Sequence, residues 1–128
     1  MDRIRTLRVH WFEIPALNIN RAIAFYESVF NIKLLKQTYG SIEMAWFTSD
    51  NDANNVSGLL IKNEAHYKPS PQGTLIYFSS PDIAEELKHV ETAGGKILLQ
   101  KTQITTQFGF MGLFQDSEGN RIGLHSET

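Results

Sequence analysis

The feature that most constrains the fold is an order of elements that occurs twice along the 128-residue chain. In each half, a strand-like run of apolar and β-branched residues precedes an amphipathic helix, and three further strand-like runs follow it. The first helix is predicted to begin after Asn18, a favourable N-cap residue, and the second after Asp82, with Glu85 completing a capping box. Each half therefore has the order β-α-β-β-β, which indicates a duplicated unit.

The repeat predicts a single domain that spans residues 1–128 and consists of two modules. Module one covers about 5–62, a Pro-containing connector covers about 63–72, and module two covers about 73–126. Two short similarities align the modules, at spacings of 63 and 65 residues: Lys33-Leu34-Leu35 with Lys96-Ile97-Leu98, and Gly58-Leu59 with Gly123-Leu124. The predicted elements include strands at 7–14, 74–79 and 96–100, a polar loop at 49–55 and a mobile flap at 103–110.

Composition narrows the class of protein. Apolar residues make up 41% of the chain and aromatic residues 11%, enough for one hydrophobic core. The net charge of −2, without a run of one sign, argues against a nucleic-acid partner. We expect no membrane partner, because no apolar stretch reaches 18 residues and the start lacks the apolar segment of a signal peptide. The absence of cysteine excludes disulfides and thiol nucleophiles, and fits a cytoplasmic location.

Several motifs link the repeat to a known family. They are Phe12-Glu13-Ile14-Pro15, Arg21-Ala22, Phe25-Tyr26, and a segment from Asp116 to Leu124 that reads D-S-E-G-N-R-I-G-L. The chain resembles the vicinal oxygen chelate superfamily, which contains glyoxalase I, bleomycin-resistance proteins and extradiol dioxygenases; Ser117 stands where that family usually has proline. The resemblance implies an α+β fold of two tandem βαβββ modules, forming an open, cup-shaped curved sheet with helices on the outside. It also implies a homodimer.

The same resemblance implies where a metal would bind. Metal-dependent members hold a divalent ion with four His, Glu or Gln side chains, and the matching positions here are Trp11, Gly58, Leu75 and Gly123. None of these side chains can coordinate a metal, so we predict no metal site and no cofactor. A divalent ion would require displaced ligands, such as His10, Glu13, His66 and His125.

The cup itself is predicted to remain as a pocket. Because side chains alternate along a strand, Glu13 shares a face with Trp11, Tyr77 with Leu75, and His125 with Gly123, and the two glycines would widen the floor. Aromatic residues of the flap are predicted either to close on a ligand or to cover a subunit interface. The predicted ligand-binding residues are Trp11, Glu13, Leu75, Tyr77, Phe108, Phe110 and His125.

Three functions follow from this pocket. The leading prediction is a metal-free protein that binds a small, partly aromatic organic ligand, because an aromatic wall with few polar groups suits such a molecule. The alternative is a glyoxalase-like lyase or isomerase, or a dioxygenase, using a non-standard site. In its acid–base version, Glu13 and His125 are the catalytic residues. The third is a protein-interaction domain without a ligand.

Overall fold

A computed structural model describes residues 3–48 and 57–128 of the protein. The polar loop predicted at 49–55 lies outside the described residues. In the described residues, no helix is both long and apolar enough to cross a membrane. The elements in chain order are β1 (Phe12–Pro15), α1 (Ile19–Phe30), β2 (Leu34–Tyr39), β3 (Ile42–Phe47), β4 (Gly58–Lys62), β5 (Tyr77–Ser79), α2 (Ile83–Lys88), β6 (Lys96–Thr105), β7 (Gly109–Gln115) and β8 (Arg121–Ser126).

The two modules form two four-stranded sheets. The first has the strand order β1-β4-β3-β2 and the second has β5-β8-β7-β6. In each sheet the edge strand that precedes the helix pairs in parallel with the last strand of its module, and the other pairs are antiparallel. Both sheets are open. The predicted α+β fold of two βαβββ modules is confirmed.

The helix starts follow from local chemistry. The Asn18 side chain accepts a hydrogen bond from the Arg21 N–H at 3.0 Å, and the Asp82 side chain accepts one from the Glu85 N–H at 3.3 Å. Both N-caps are those predicted, because an N-cap depends on residues only three positions apart. α1 ends at Phe30 and is capped by Asn31, which has the left-handed φ of 55° that asparagine tolerates.

Three strands differ in length from the prediction. β1 begins at Phe12 instead of residue 7, since its ladder with β4 starts opposite Gly58, and Leu7 and Val9 are exposed. β5 begins at Tyr77 instead of residue 74. β6 continues to Thr105, so most of the predicted flap is the far end of a β-hairpin.

One hydrophobic core joins the two modules. Phe78 of the second sheet has its ring centroid 5.5 Å from that of Phe12 and 5.4 Å from that of Phe47, both in the first sheet. Tyr26 and Phe30 of α1 lie 6.4 and 5.4 Å from the same ring. The core-facing sides of both sheets therefore pack together, and on the second sheet the opposite face leaves Tyr77 45% exposed.

A polar network ties the β7–β8 turn of module two to α1 of module one. Asp116, which is buried, accepts hydrogen bonds from the backbone N–H groups of Glu118, Gly119 and Asn120 through one oxygen. Its other oxygen accepts from the Tyr26 hydroxyl at 2.6 Å and from the Asn120 amide at 3.1 Å. The network explains why the turn has this sequence: Asp116 satisfies the turn's own backbone donors and anchors it on the helix.

Glu118 extends the same network to the start of α1. Its carboxylate accepts the backbone N–H groups of Leu17 and Asn18, each at 2.8 Å, and pairs with the Arg21 guanidinium at 2.7 Å. Its side chain is fully buried, whereas that of Arg21 is half exposed. Burial opposes ionisation of Glu118, but hydrogen bonds from Arg21, Asn18, Ser117 and Leu17 outweigh it, so the pKa lies below its usual value.

This lowered pKa predicts an acid-dependent loss of stability. The folded state favours the Glu118 carboxylate, so its contribution is complete above the unfolded-state pKa of about 4.3 and is lost as the pH falls further. We expect the difference in unfolding free energy between the wild type and Glu118→Gln to shrink below about pH 4.3. Urea unfolding from pH 7 to pH 3 measures this; a difference that stays constant over that range would contradict it.

Candidate functional site

The second sheet carries a concave pocket on the face away from the core. β5 supplies Tyr77 and Ser79, the β6–β7 hairpin supplies Ile104 and Phe108, and β8 supplies His125; together they line a cavity of about 440 Å³. The cavity is within the size range of small-molecule sites, about 300–1,000 Å³. Tyr77, Phe108 and His125, three of the seven predicted ligand-binding residues, thus lie together.

The floor of the pocket depends on a close contact between Tyr77 and Gly123. The two residues are paired in the β5–β8 ladder. A Cβ atom at Gly123 would lie 2.6 Å from the Tyr77 ring, so the ring rests against the glycine backbone. The prediction that this glycine widens the cup is wrong, because the tyrosine ring fills the space that a side chain would take.

His125 connects the sheet to the tip of the hairpin. Its Nε2 atom is hydrogen-bonded to the carbonyl oxygen of Phe108 at 2.5 Å. Because a carbonyl only accepts, Nε2 carries the proton, and in the neutral ring Nδ1 is the acceptor. The Phe108 side chain is 60% exposed beside the pocket. The pocket therefore offers two exposed aromatic rings, one of them the phenol of Tyr77, together with the Ser79 hydroxyl and one imidazole.

Glu13 and His125 are not brought together. Glu13 belongs to the first sheet, where its carboxylate accepts a hydrogen bond from the Tyr67 hydroxyl at 2.6 Å. That hydrogen bond, together with burial, raises the pKa of Tyr67. Glu13 lines a cavity different from the one His125 lines. The two residues thus do not form the predicted acid–base pair, since Glu13 lies on β1 of module one and His125 on β8 of module two.

Trp11, Leu75 and Phe110 also lie outside the pocket. Trp11, 48% exposed, packs edge-on against Trp46 with ring centroids 6.2 Å apart. Leu75 is half-buried just before β5. Phe110 packs against the core, and Lys101 Nζ lies 4.7 Å from its ring centroid. The assignment of Phe110 to the concave face is wrong, because its neighbour Met111 is the β7 residue that pairs with His125.

Two pocket residues were absent from the predicted set. Ser79 lies two positions after Tyr77 on β5, so strand alternation alone was enough to find it. Ile104 reaches the pocket because β6 extends to Thr105. The sequence has no comparable signal for Ile104, since its position depends on the length and irregular register of the β6–β7 hairpin.

Strand register also corrects one of the four implied metal-ligand positions. Phe12 is paired with Gly58 and Glu13 with Leu59, whereas Tyr77 is paired with Gly123. Glu13 and Tyr77 each stand five residues before the N-cap of their helix, so Leu59 is the structural counterpart of Gly123. Gly58 instead accommodates the Phe12 ring, 2.6 Å from where its Cβ would lie, on the side of the sheet that packs against the core.

The residues at these positions do not fit a divalent metal. With the correction they read Trp11, Leu59, Leu75 and Gly123, and none has a side chain that donates to an ion. The displaced ligands considered above do not converge either. Across residues 3–48 and 57–128, no group of three or more His, Asp or Glu side chains is arranged to hold one.

The duplicated module is matched by a family model. The model for the Glyoxalase/Bleomycin resistance protein/Dioxygenase superfamily matches residues 8–124. The chain belongs to this superfamily. The chain is also similar in sequence to a glyoxylase-like domain-containing protein of Didymella fabae. The two are 28% identical over 116 residues, and the alignment covers 88% of each chain.

Solved structures share the superfamily fold at low sequence identity. A glyoxylase/bleomycin resistance protein/dioxygenase domain from Frankia sp. EAN1pec superposes with a TM-score of 0.70 at 12% identity, covering 95% of this chain and 98% of that one. A glyoxalase I mutant from Zea mays gives 0.69 at 19% identity, covering 90% of this chain and 45% of that one. These likenesses concern the fold, and the site must be argued from the residues of this chain.

Proposed function

We propose that this superfamily member is a small-molecule-binding protein that takes a small, partly aromatic ligand in the concave pocket of the second sheet. The observation that carries the proposal is that two exposed aromatic side chains, Tyr77 and Phe108, line the same cavity of about 440 Å³. Planar rings stack on such side chains, and His125 and Ser79 supply polar groups that would orient the ligand.

We further propose that binding needs no metal. The support is the donor set, because the four superfamily positions carry two leucines, a tryptophan and a glycine. At Gly123 the Tyr77 ring occupies the space in which a ligating side chain would begin. The pocket therefore supports binding by stacking of the ligand on aromatic side chains, in place of coordination of the ligand by a metal ion.

Of the two residues predicted for acid–base catalysis, only His125 lines this pocket. Its Nε2 is engaged with the Phe108 carbonyl, so in the neutral ring only Nδ1 is an acceptor for a substrate proton. Glu13 is held by Tyr67 and faces another cavity, so it does not orient this imidazole. A lyase or isomerase reaction here would use His125 without Glu13 as its partner.

Binding of neutral and cationic aromatic probes tests the proposal. We expect indole or benzyltrimethylammonium, titrated into labelled protein, to shift the amide resonances of Ser79, Phe108 and His125 saturably. Tyr77→Ala and Phe108→Ala should each weaken binding about fivefold, since stacking on one ring contributes about 1 kcal/mol. Tyr39→Ala is the matched control, because Tyr39 is 74% exposed and lies on the first sheet.

Two results would overturn this proposal. One is the absence of a saturable shift with either probe, and the other is an affinity that Tyr77→Ala and Phe108→Ala leave unchanged. Metal dependence is tested by thermal melts of metal-stripped protein with Mn²⁺, Ni²⁺, Zn²⁺, Fe²⁺ and Mg²⁺. Saturating binding would raise the midpoint by roughly 5–15 °C, and a rise of that size would overturn the metal-free reading.

We also propose that the protein is a cytoplasmic homodimer. The exposed aromatic side chains of both modules, among them Trp11, Tyr39 and Phe108, support a second copy packing against one of these surfaces. The lack of cysteine supports a reducing compartment. Sedimentation velocity at micromolar concentrations should give a species of twice the chain mass, and a monomer at all concentrations would contradict the dimer.

A further inference from the structure

A second cavity, of about 340 Å³, lies at the seam between the two modules. One wall is β1, the opposite wall includes Gly73, Thr74 and Ile76 ahead of β5, and residues 120–122 contribute to the lining. β1 and β5 are edge strands, each paired with a single neighbour. The cavity, which we call the seam cavity, therefore lies beside a strand edge whose backbone groups are not used by a second ladder partner.

The connector is fastened over this cavity at two points. At one point the Tyr67 hydroxyl donates to Glu13 on β1 at 2.6 Å. At the other, the Ser70 N–H donates to the Asn120 side chain at 3.2 Å, and the Asn120 amide donates to the Pro15 carbonyl at 2.8 Å. Lys68 lies between these two points in the chain and lines the cavity. The walls of the seam cavity are thus held by hydrogen bonds from both modules.

The seam cavity has hydrogen-bond donors without acceptors. The Nε atom of Arg121 is buried and has no hydrogen-bond partner. Neither Arg121 nor Lys68 forms an ion pair with any residue of 3–48 or 57–128. A buried donor left unsatisfied costs about 1–3 kcal/mol, and more when the group is charged. An acceptor supplied by a ligand beside the guanidinium would remove this cost.

The backbone of β1 adds a third donor. The N–H groups of Phe12 and Ala16 donate to carbonyls of module one at Ser57 and Ile61, at 3.3 and 2.8 Å. Because donors alternate in direction along a parallel strand, the N–H of Glu13 points to the free edge, which is the seam side. The Glu13 carboxylate, the acidic group on the wall, is already engaged by Tyr67.

We propose that the seam cavity binds a small organic oxyanion, with the Arg121 guanidinium donating to a carboxylate or phosphate group and Lys68 supplying a second positive charge. The planar guanidinium fork matches either group with two parallel hydrogen bonds. The Glu13 N–H is placed to donate to the same group or to a neighbouring oxygen. This site is separate from the concave pocket and does not depend on the function proposed there.

The resonance of the Arg121 Nε–H group gives a direct test. Inorganic phosphate and malonate are each titrated into ¹⁵N-labelled protein at constant ionic strength, adjusted with sodium chloride. We expect a saturable shift of this resonance with an apparent Kd on the order of 1 mM, and the tighter probe identifies the class of oxyanion. Arg121→Lys should weaken binding about tenfold or more, and Lys68→Gln by about three- to tenfold.

Matched controls separate this site from general charge effects. Arg5→Lys changes an exposed arginine in the same way, so it should leave the affinity unaltered. If Arg121→Lys does not fold, Lys68→Gln and the wild-type Arg121 resonance still carry the test. The proposal is overturned by the absence of saturation up to on the order of 50 mM of both probes, by an unchanged affinity in Lys68→Gln and Arg121→Lys, or by shifts at His125 in place of Arg121.

Discussion

Replacing Glu118 by alanine should lower the free energy of unfolding by about 2–4 kcal/mol. The substitution leaves the Leu17 and Asn18 N–H groups at the start of α1 without their acceptor, and each unsatisfied donor costs about 1–3 kcal/mol. Arg21 adds little to this loss because its side chain is half exposed and can be hydrated. Urea or guanidinium unfolding followed by far-ultraviolet circular dichroism measures the change.

Two further variants serve as comparisons for Glu118→Ala. Glu118→Gln keeps one oxygen acceptor, so it should lose less stability than Glu118→Ala at pH 7. Glu91→Ala removes an exposed carboxylate and should change the unfolding free energy by less than about 0.5 kcal/mol. If Glu118→Ala were as stable as Glu91→Ala, the turn of module two would not be what stabilises the start of α1.

The network around Glu118 also shows which part of the fold could be predicted from sequence. The turn at residues 116–120 is evident from its residue types, and so are the N-caps, because these signals are local. The partners of the turn are not local: Glu118 and Arg21 lie 97 residues apart in the chain. The sequence therefore indicated that a turn exists, whereas its role in joining the modules appears only in three dimensions.

Register was the main source of error. The repeated Gly-Leu pair suggested a spacing of 65 residues between modules, but strand pairing gives Leu59, at a spacing of 64, as the counterpart of Gly123. Each glycine accommodates an aromatic ring, Phe12 at Gly58 and Tyr77 at Gly123. The two Gly-Leu pairs look alike in sequence, but their glycines face opposite sides of their sheets. A slip of one residue moves a side chain to the other face.

The candidate site was predicted in part for the same reason. Tyr77 and His125 lie on strands that pair directly, so simple alternation placed them correctly on one face. In β7, Phe110, Met111, Leu113 and Phe114 make both faces apolar, and alternation gives no signal of which face is concave. The cavity at the seam had no signal either, because it depends on how the edges of two sheets approach each other.

Replacing Phe78 by alanine should lower the free energy of unfolding by about 2–4 kcal/mol, because this partly buried ring packs against the core and deleting a fully buried ring costs about 3–5 kcal/mol. Phe78 contacts aromatic rings of the first sheet and of α1 at centroid distances of 5.4 to 6.4 Å. Its loss would leave a void where the two modules share their core. Unfolding in guanidinium, followed by both circular dichroism and tryptophan fluorescence, measures the size of the effect and its cooperativity.

The probes report on different parts of the molecule. Trp11 and Trp46 both belong to module one, so fluorescence follows that module, whereas circular dichroism follows both. We expect coincident transitions in the wild type and a separation between them in Phe78→Ala, because the variant weakens the contact that couples the modules. Phe108→Ala is the control: its ring is exposed at the concave pocket, so it should leave stability within about 0.5 kcal/mol. A Phe78→Ala protein as stable as Phe108→Ala would show that the polar network, and not the aromatic core, holds the two sheets together.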